Sequence, residues 1–439
     1  MTCHIKAVHG FPCQFQGEKD IPFAGYDWCR FHLPLQDDKG NRSPKMTGKD
    51  GWNKDGSEIE AFTGGVQQRL CQSMDNELAD LRGLAFPPEF DFRIFFFDGK
   101  RPVNFSRATF GDGADFGGVT FEDCVDFSGA IFGNGVNFSK AIFGKQANFT
   151  DAIFKEKVDF TEAIFGDTAD FLNTIFGRGT NFLQATFNGT ADFSTDKSHN
   201  LESDLAFRFM VFRKAHFKGS AIFENRIFAT STLFDEAIFE SMAQFHGCKF
   251  HQGMLFHQAT FQKTKGQNNT QTAELEQCYR TLKLGMETLR ARNEEAYFFA
   301  KEMECRRNRG DVPRFERLAA TLYKHLSDYG QSIWTPLTWL GGVTVALGFI
   351  YFYFLWAMSC PLPEHIWGGA PKVKSIVAFT FEQMLRPFGA WMKDSIGIKL
   401  NLFQQGDLLI PILASLQSLA TIAFLTLFLL ALRRRFKMD

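Results

Sequence analysis

Phenylalanine returns along this chain at a spacing that few backbones can satisfy. It stands at Phe105, Phe110, Phe116, Phe121, Phe127, Phe132, Phe138, Phe143, Phe149, Phe154, Phe160 and Phe165, in alternating steps of five and six. The lattice runs on through Phe171, Phe176, Phe182, Phe187 and Phe193, pauses over a polar insert from Ser194 to Asn200, and resumes from Phe207 to Phe261, filling 28 positions. A helix needs apolar returns at three and four, and a half-buried strand at two. Steps of five and six fit short faces joined by tight corners. Two residues before almost every lattice Phe stands a small or compact residue, as at Ala108, Ala114, Val119, Val125, Ala130, Val136, Ala141, Ala147, Ala152 and Val158. Each face therefore points one large and one small side chain inward, and the implied object is a square-sectioned solenoid. The excess is specific to one residue: 53 Phe against seven Trp and seven Tyr. A repeated slot accounts for that, whereas a core chosen only for fit does not.

The segments Ala147-Asn148-Phe149-Thr150-Asp151 and Ala163-Ile164-Phe165-Gly166-Asp167 share a register, and Ala79-Asp80-Leu81-Arg82-Gly83 completes it. In this the chain resembles the pentapeptide-repeat family, whose motif is a small residue, Asp or Asn, Leu or Phe, and two polar residues. The resemblance implies a mainly β chain, a right-handed quadrilateral β-helix with four repeats per coil over residues 79–262, followed by helices. With steps of five and six the coil has 22 residues, and 28 Phe on four faces make seven coils. At about 4.8 Å between stacked ladders that stretch is roughly 35 Å long. Because one coil cannot bury its own rings, stability comes from stacking each coil on the next. Arg226 occupies a small-residue slot before Phe228, which predicts a bulge or an outward turn.

The residue before each Phe should face outward. Asp115, Asp126, Asn137, Asn148, Asp159 and Asp170 alternate with Ile131, Ile142, Ile153, Ile164 and Ile175, so two faces are polar and two carry β-branched residues. Some family members mimic duplex DNA and bind gyrase, and the acidic columns invite that reading. A solvated, turn-capping ladder is favoured, because Lys140, Lys145, Lys155 and Lys157 interrupt the charge. The Ile columns are either a dimer face or strand-compatible surface.

Ahead of the solenoid, residues 1–57 form a separate module with its linker. Cys3, Cys13, Cys29 and His32 offer three thiolates and an imidazole, enough for a closed structural zinc shell, with the Cys29-x2-His32 pair as its knuckle. His4 and His9 are competing ligands, and the alternative is a set of reduced, partly buried thiols. Asp50, Asn53 and Asp55 lack the ligand spacing of a calcium loop and read as a solvated turn. Residues 58–78 are expected to form a helix that covers the open edge of the first coil. Nine Cys without a paired framework suit a reducing compartment, and no cleavable signal peptide is expected.

From residue 263 to 332 the pattern becomes helical. Leu275, Cys278, Tyr279, Leu282, Met286 and Leu289 recur at three and four, and a second amphipathic segment carries Leu318, Leu322 and Leu326. These helices either pack on the last coil or serve oligomerisation or gating. Within residues 333–439, Leu337 to Met358 and Leu408 to Leu432 lack charges over 22 and 25 residues, long enough to cross a hydrocarbon core of about 30 Å. Arg433, Arg434, Arg435 and Lys437 after the second span, and Arg306, Arg307, Arg309, Arg314 and Arg317 before the first, place both termini in the cytosol by the positive-inside rule, and the family resemblance implies a bacterial source. The outside loop, residues 361–407, holds an interrupted apolar stretch from Ser375 to Trp391 with Glu382, Arg386 and Pro387. It reads as an interfacial segment anchored by Trp367 and Trp391, with a re-entrant segment as the alternative. Gln417, Ser418 and Thr421 lie on one side of the second span, facing either another helix or a pore.

Charges nearly cancel, 48 basic against 49 acidic, so no nucleic-acid partner is expected. No nucleophile-base grouping or phosphate loop appears, so an enzyme is the weakest class and none is expected. The sequence supports a protein of the bacterial inner membrane, lipid-embedded and homo-oligomeric, whose cytosolic rod binds an unidentified protein or senses a signal. The alternative is an oligomeric pore gated by that rod.

Overall fold

The computed structural model describes residues 13, 21–29, 31–35, 39, 56–72, 78–95, 97, 101–196, 206–251, 253–262, 268–357, 371–385 and 409–436. Two compact units divide the chain: residues 1–266 with 277–290, and residues 267–276 with 291–439.

The first unit is a parallel β-solenoid of about eight turns. Four ladders run along it, one of eight strands beginning at Ala79 and one of seven ending at Phe261. A single turn shows the register: Ala147 pairs with Ala169, Ile153 with Ile175, Asp159 with Asn181, and Ile164 with Thr186. Equivalent residues are 22 apart, as Asn137 is from Asp115. The first turn, where Ala79 pairs with Val103, and the turn that carries the insert, where Thr180 pairs with Met210, are longer. The extra turn beyond the seven counted from Phe105 is built on Leu81, Phe86 and Phe92, all buried, and on Phe97, which lies over Phe121 at 4.8 Å.

Inside, the rings form columns. Phe127 stacks on Phe149 with centroids 5.0 Å apart and planes at 12°, and Phe149 on Phe171 at 4.9 Å and 6°. Across the core the contacts are edge to face, as between Phe138 and Phe149 at 5.9 Å and 87°. Both are the arrangements that the ring quadrupole favours. Each of these rings is fully buried, a burial of roughly 1.5–3 kcal/mol per Phe. Corners are tight: the residue two after Phe138, Phe149, Phe160 and Phe182 is Lys140, Asp151, Glu162 and Gln184, each with φ of 57–58°. At another corner a Cβ on Gly166 would collide with the Gly144 carbonyl of the coil below, so glycine is needed there.

Ahead of the first turn, helix α1 (Gly56–Gln72) buries Phe62, Val66 and Leu70. Phe62 meets Phe86 and Phe90 edge to face, both at 5.6 Å, and so closes the hydrophobic column at this end. At the other end helix α2 (Asn269–Thr288) begins in the second unit. Its later residues, from Gln277 on, belong to the first unit, where Tyr279 packs on Phe261 at 6.1 Å. Leu275, Cys278, Tyr279, Leu282 and Met286 are all buried.

The second unit is helical. Helices α3 (Arg292–Asn308) and α4 (Arg314–Ser327) pack together. Arg309 at their junction ties the unit: it bonds Glu276 at 2.7 Å and Asp311 at 2.5 Å, while Gly310 donates its N–H to Asn269 at 2.9 Å. A turn in which Asp328, Tyr329 and Gly330 all have positive φ leads into helix α5 (Trp334–Ala357). Helices α6 (Pro371–Leu385) and α7 (Leu409–Phe436) complete the unit, and α5, α6 and α7 touch one another.

Candidate functional site

Three features carry chemistry, and the first is a cluster beside a short hairpin. Strands Ile21–Phe23 and Tyr26–Trp28 pair antiparallel across Ala24 and Gly25, both at positive φ, as a two-residue hairpin turn requires. The chain then turns tightly, His32 N–H donating to the Cys29 carbonyl at 3.1 Å. This brings Cys29 Sγ to 3.0 Å from His32 Nδ1, with Cys13 Sγ 3.6 Å from Cys29 Sγ and 3.5 Å from His32 Nδ1. Around a tetrahedral zinc, two sulfurs lie about 3.8 Å apart and a sulfur and an imidazole nitrogen about 3.6 Å. The donor set suits such an ion and the two separations from Cys13 match it, while Cys29 and His32 stand closer together than a bound zinc would hold them. Cys29 and His32 are buried, Cys13 is partly so, and Trp28 and Leu33 pack beneath them. Cys3, proposed from the sequence as the fourth ligand, and His4 and His9 lie outside the described residues. Phe31, between Cys29 and His32, packs against Phe62 at 5.2 Å with the rings tilted by 31°, and its carbonyl accepts the Ala85 N–H at 2.8 Å. A metal held here would therefore steady the residues that close the first coil.

The second feature is the solenoid surface. Asp126 Oδ1 accepts the Ser128 N–H at 2.9 Å and the Asn148 side-chain amide at 3.0 Å; Asp115 does the same with Gly117 and Asn137, both at 2.8 Å. Alternating Asp with Asn lets each carboxylate accept from the amide one coil on, so these columns are structural ladders. Where two Asp follow one another, at Asp170 and Asp192, burial and the neighbouring charge raise the Asp170 carboxyl above its usual range. Elsewhere the Lys145 ammonium, 2.8 Å from Asp123, holds that carboxyl low. The pattern of two polar and two β-branched faces holds only through the earlier turns. After the insert, the outward positions that carried Asp and Asn become Val211, Leu233 and Leu255 on one face and Ile222 on another. Phe209 and Leu255 are each 44% exposed.

Arg226 corrects the sequence reading, which placed it in a bulge or outward turn. It is completely buried inside the solenoid. Its guanidinium donates to the carbonyls of Phe193, Thr174 (3.0 Å) and Phe171 (3.1 Å) and lies over the Phe207 ring at 4.9 Å. There the column is interrupted: Phe207 meets Phe176 at 78° and Phe228 at 89° instead of stacking. The long turn with the insert opens the core at this level, and five planar donors fill it where an Ala would leave carbonyls unsatisfied. Burial pushes the guanidinium down to about 9, so the charge persists at neutral pH. The same slot holds Thr174, which donates to the Phe149 carbonyl at 2.7 Å, and Cys248, which donates to that of Phe223 at 2.9 Å. Polar residues in an otherwise Ala-filled slot were the available signal.

The third feature is the C-terminal hairpin. Two helical segments are long and apolar enough to cross a membrane: Trp334–Tyr353, with mean hydropathy 1.4, and Pro411–Arg433, with 2.0. Only 17% and 22% of their most apolar windows are buried, so most of their apolar surface faces outward. The first begins a few residues earlier than the Leu337 read from the sequence. Residues 358–370 and 386–408, with Trp367, Trp391, Arg386 and Pro387, lie outside the described residues. Gln417 and Thr421 are buried, and their side of α7 faces α5 and α6. Gln417 accepts from Tyr351 Oη at 3.0 Å and donates to the Thr380 carbonyl at 3.0 Å, while Ser418 donates to that of Gln383 at 3.2 Å. These residues join helices of one chain. Helix α6 reaches the level of Thr344, midway along α5, where the two line an apolar groove of about 410 Å³ that Gly348 opens.

Fold and surface together define a repeat solenoid followed by apolar helices. Residues 105–153 and 149–195 match the family described as pentapeptide repeats, in nine copies. The chain carries a pentapeptide-repeat domain, with two candidate apolar helices at its C-terminal end. Comparison with curated proteins and with solved structures gave no match.

Proposed function

We propose that this protein is a scaffold held at the inner face of a bacterial membrane, where its rod offers a docking face to a cytosolic protein. The observation that carries the reading is the change of surface along the solenoid. Phe209, Val211, Leu233 and Leu255 form an apolar stretch on a face that is otherwise an Asp and Asn ladder. An exposed apolar patch rimmed by polar residues marks an interaction site. The two outward-facing apolar helices supply the anchor, and the arginines that follow Leu432 and precede Trp334 put both termini in the cytosol. The rod carries no catalytic role in this reading, and zinc at Cys13, Cys29 and His32 is structural.

A second reading, an oligomeric pore gated by the rod, draws support from the depth of α6 between the spans and its bond to Gln417. Conductance recording on full-length protein in planar bilayers separates the two. The scaffold stays electrically silent. Single-channel current altered by Gln417→Leu would replace it with the pore.

A further inference from the structure

Helix α4 leaves its apolar stripe uncovered. Phe315 is 79% exposed, Leu318 56% and Leu322 49%, and their spacing sets them on one side of the helix, with Leu326 continuing the line. Two exposed arginines around this end of the unit make no ion pair among the described residues: Arg314 on α4 beside the stripe, and Arg433 near the end of α7. Their neighbours are engaged, Arg306 with Glu316 at 2.8 Å and Lys324 with Glu304 at 3.3 Å. Helix α7 touches α4 and the turn that follows it.

The geometry continues into the candidate span. The left-handed turn Asp328–Gly330 redirects the chain within three residues, and Trp339, 46% exposed near the start of α5, donates its indole N–H to the His325 carbonyl at 2.9 Å. Tryptophan of this kind settles at the boundary between headgroups and hydrocarbon. An amphipathic helix clamped to such a tryptophan, apolar on one side and flanked by free cations, has the make-up of a helix lying in the membrane surface.

We infer that α4 lies in the headgroup layer of an anionic phospholipid membrane, with Phe315, Leu318 and Leu322 in the acyl boundary and Arg314 and Arg433 on lipid phosphates. Apolar burial fixes the depth, and the arginines select anionic headgroups, as juxtamembrane basic residues do. This rests on the reading of α5 and α7 as membrane spans, so its test carries a separate control for them.

Full-length protein carrying a photoreactive benzoylphenylalanine in place of Phe315 is reconstituted into vesicles of phosphatidylcholine with roughly one-fifth phosphatidylglycerol, which gives the surface a negative potential. The same label replaces Glu316 in a second sample and Leu419, on the outward face of α7, in a third. The expected result is a lipid adduct at 315 and at 419 and none at 316, with phosphatidylglycerol enriched about threefold over its mole fraction at 315. Arg314→Gln with Arg433→Gln should return that enrichment to the mole fraction. A lipid adduct at 419 alone, a protein adduct at 315, or no phosphatidylglycerol enrichment at 315 overturns the inference while leaving the spans in place. No lipid adduct at 419 removes the spans and the inference with them.

Discussion

Arg226 shows how one residue can repair a repeat where it is broken. The guanidinium satisfies three carbonyls and covers Phe207 in a core that otherwise admits only rings and methyls. Arg226→Ala should destabilise the rod by about 3–5 kcal/mol, because it leaves both a cavity and orphaned carbonyls. Denaturant unfolding of the full chain in detergent reads this, and a loss under about 1 kcal/mol would mean the guanidinium is dispensable. Asp170 makes a prediction of the opposite sign. Its native carboxyl is raised, so the stability it lends is complete below the usual carboxylate range and is lost as pH rises through the raised value. Asp170→Asn removes the repulsion between Asp170 and Asp192 in successive coils. It should therefore stabilise by about 0.5 kcal/mol at pH 7 and by nothing near pH 3, checked by melting at both. The Asp and Asn alternation was legible in the sequence as a turn-capping ladder. The inward direction of Arg226 was not, because a charge is expected outside until three acceptors are seen waiting for it.

At the level of elements the unit of stability is the column. Phe149 is sandwiched by Phe127 and Phe171 and met edge-on by Phe138 and Phe160. Phe149→Ala should cost about 3–5 kcal/mol and Phe149→Leu distinctly less, since Leu keeps most of the volume. Equal losses for both would mean that ring stacking, not burial, holds the column together. The hairpin module is tied to the first coil through Phe31, so zinc removal should be felt in the rod. With Cys29→Ser or excess chelator, the melting temperature should fall by several degrees; a metal-free, unshifted wild type ends the zinc assignment. The columns, the square coil and the apolar helices were readable because each follows from a strict period or a long uncharged run. The packing of α6 against both spans was not, since an interrupted apolar stretch has the same pattern in an interface and in a bundle, and only Gln417 and Thr380 meeting decides it.

For the whole molecule, the proposed function joins a partner-presenting rod to apolar helices that would hold it at a membrane surface. The apolar stretch at Phe209, Val211, Leu233 and Leu255 gives the rod something to present, and the arginines around α4 and α7 give the anchor an orientation. The most direct measurement is protease digestion of inverted, alkali-washed membrane vesicles carrying the full-length protein. The account predicts that the chain survives the wash in the membrane and that digestion then frees a soluble, folded repeat domain while α5 to α7 stay behind. A chain removed by the wash, or a rod that resists digestion inside sealed inverted vesicles, would contradict it.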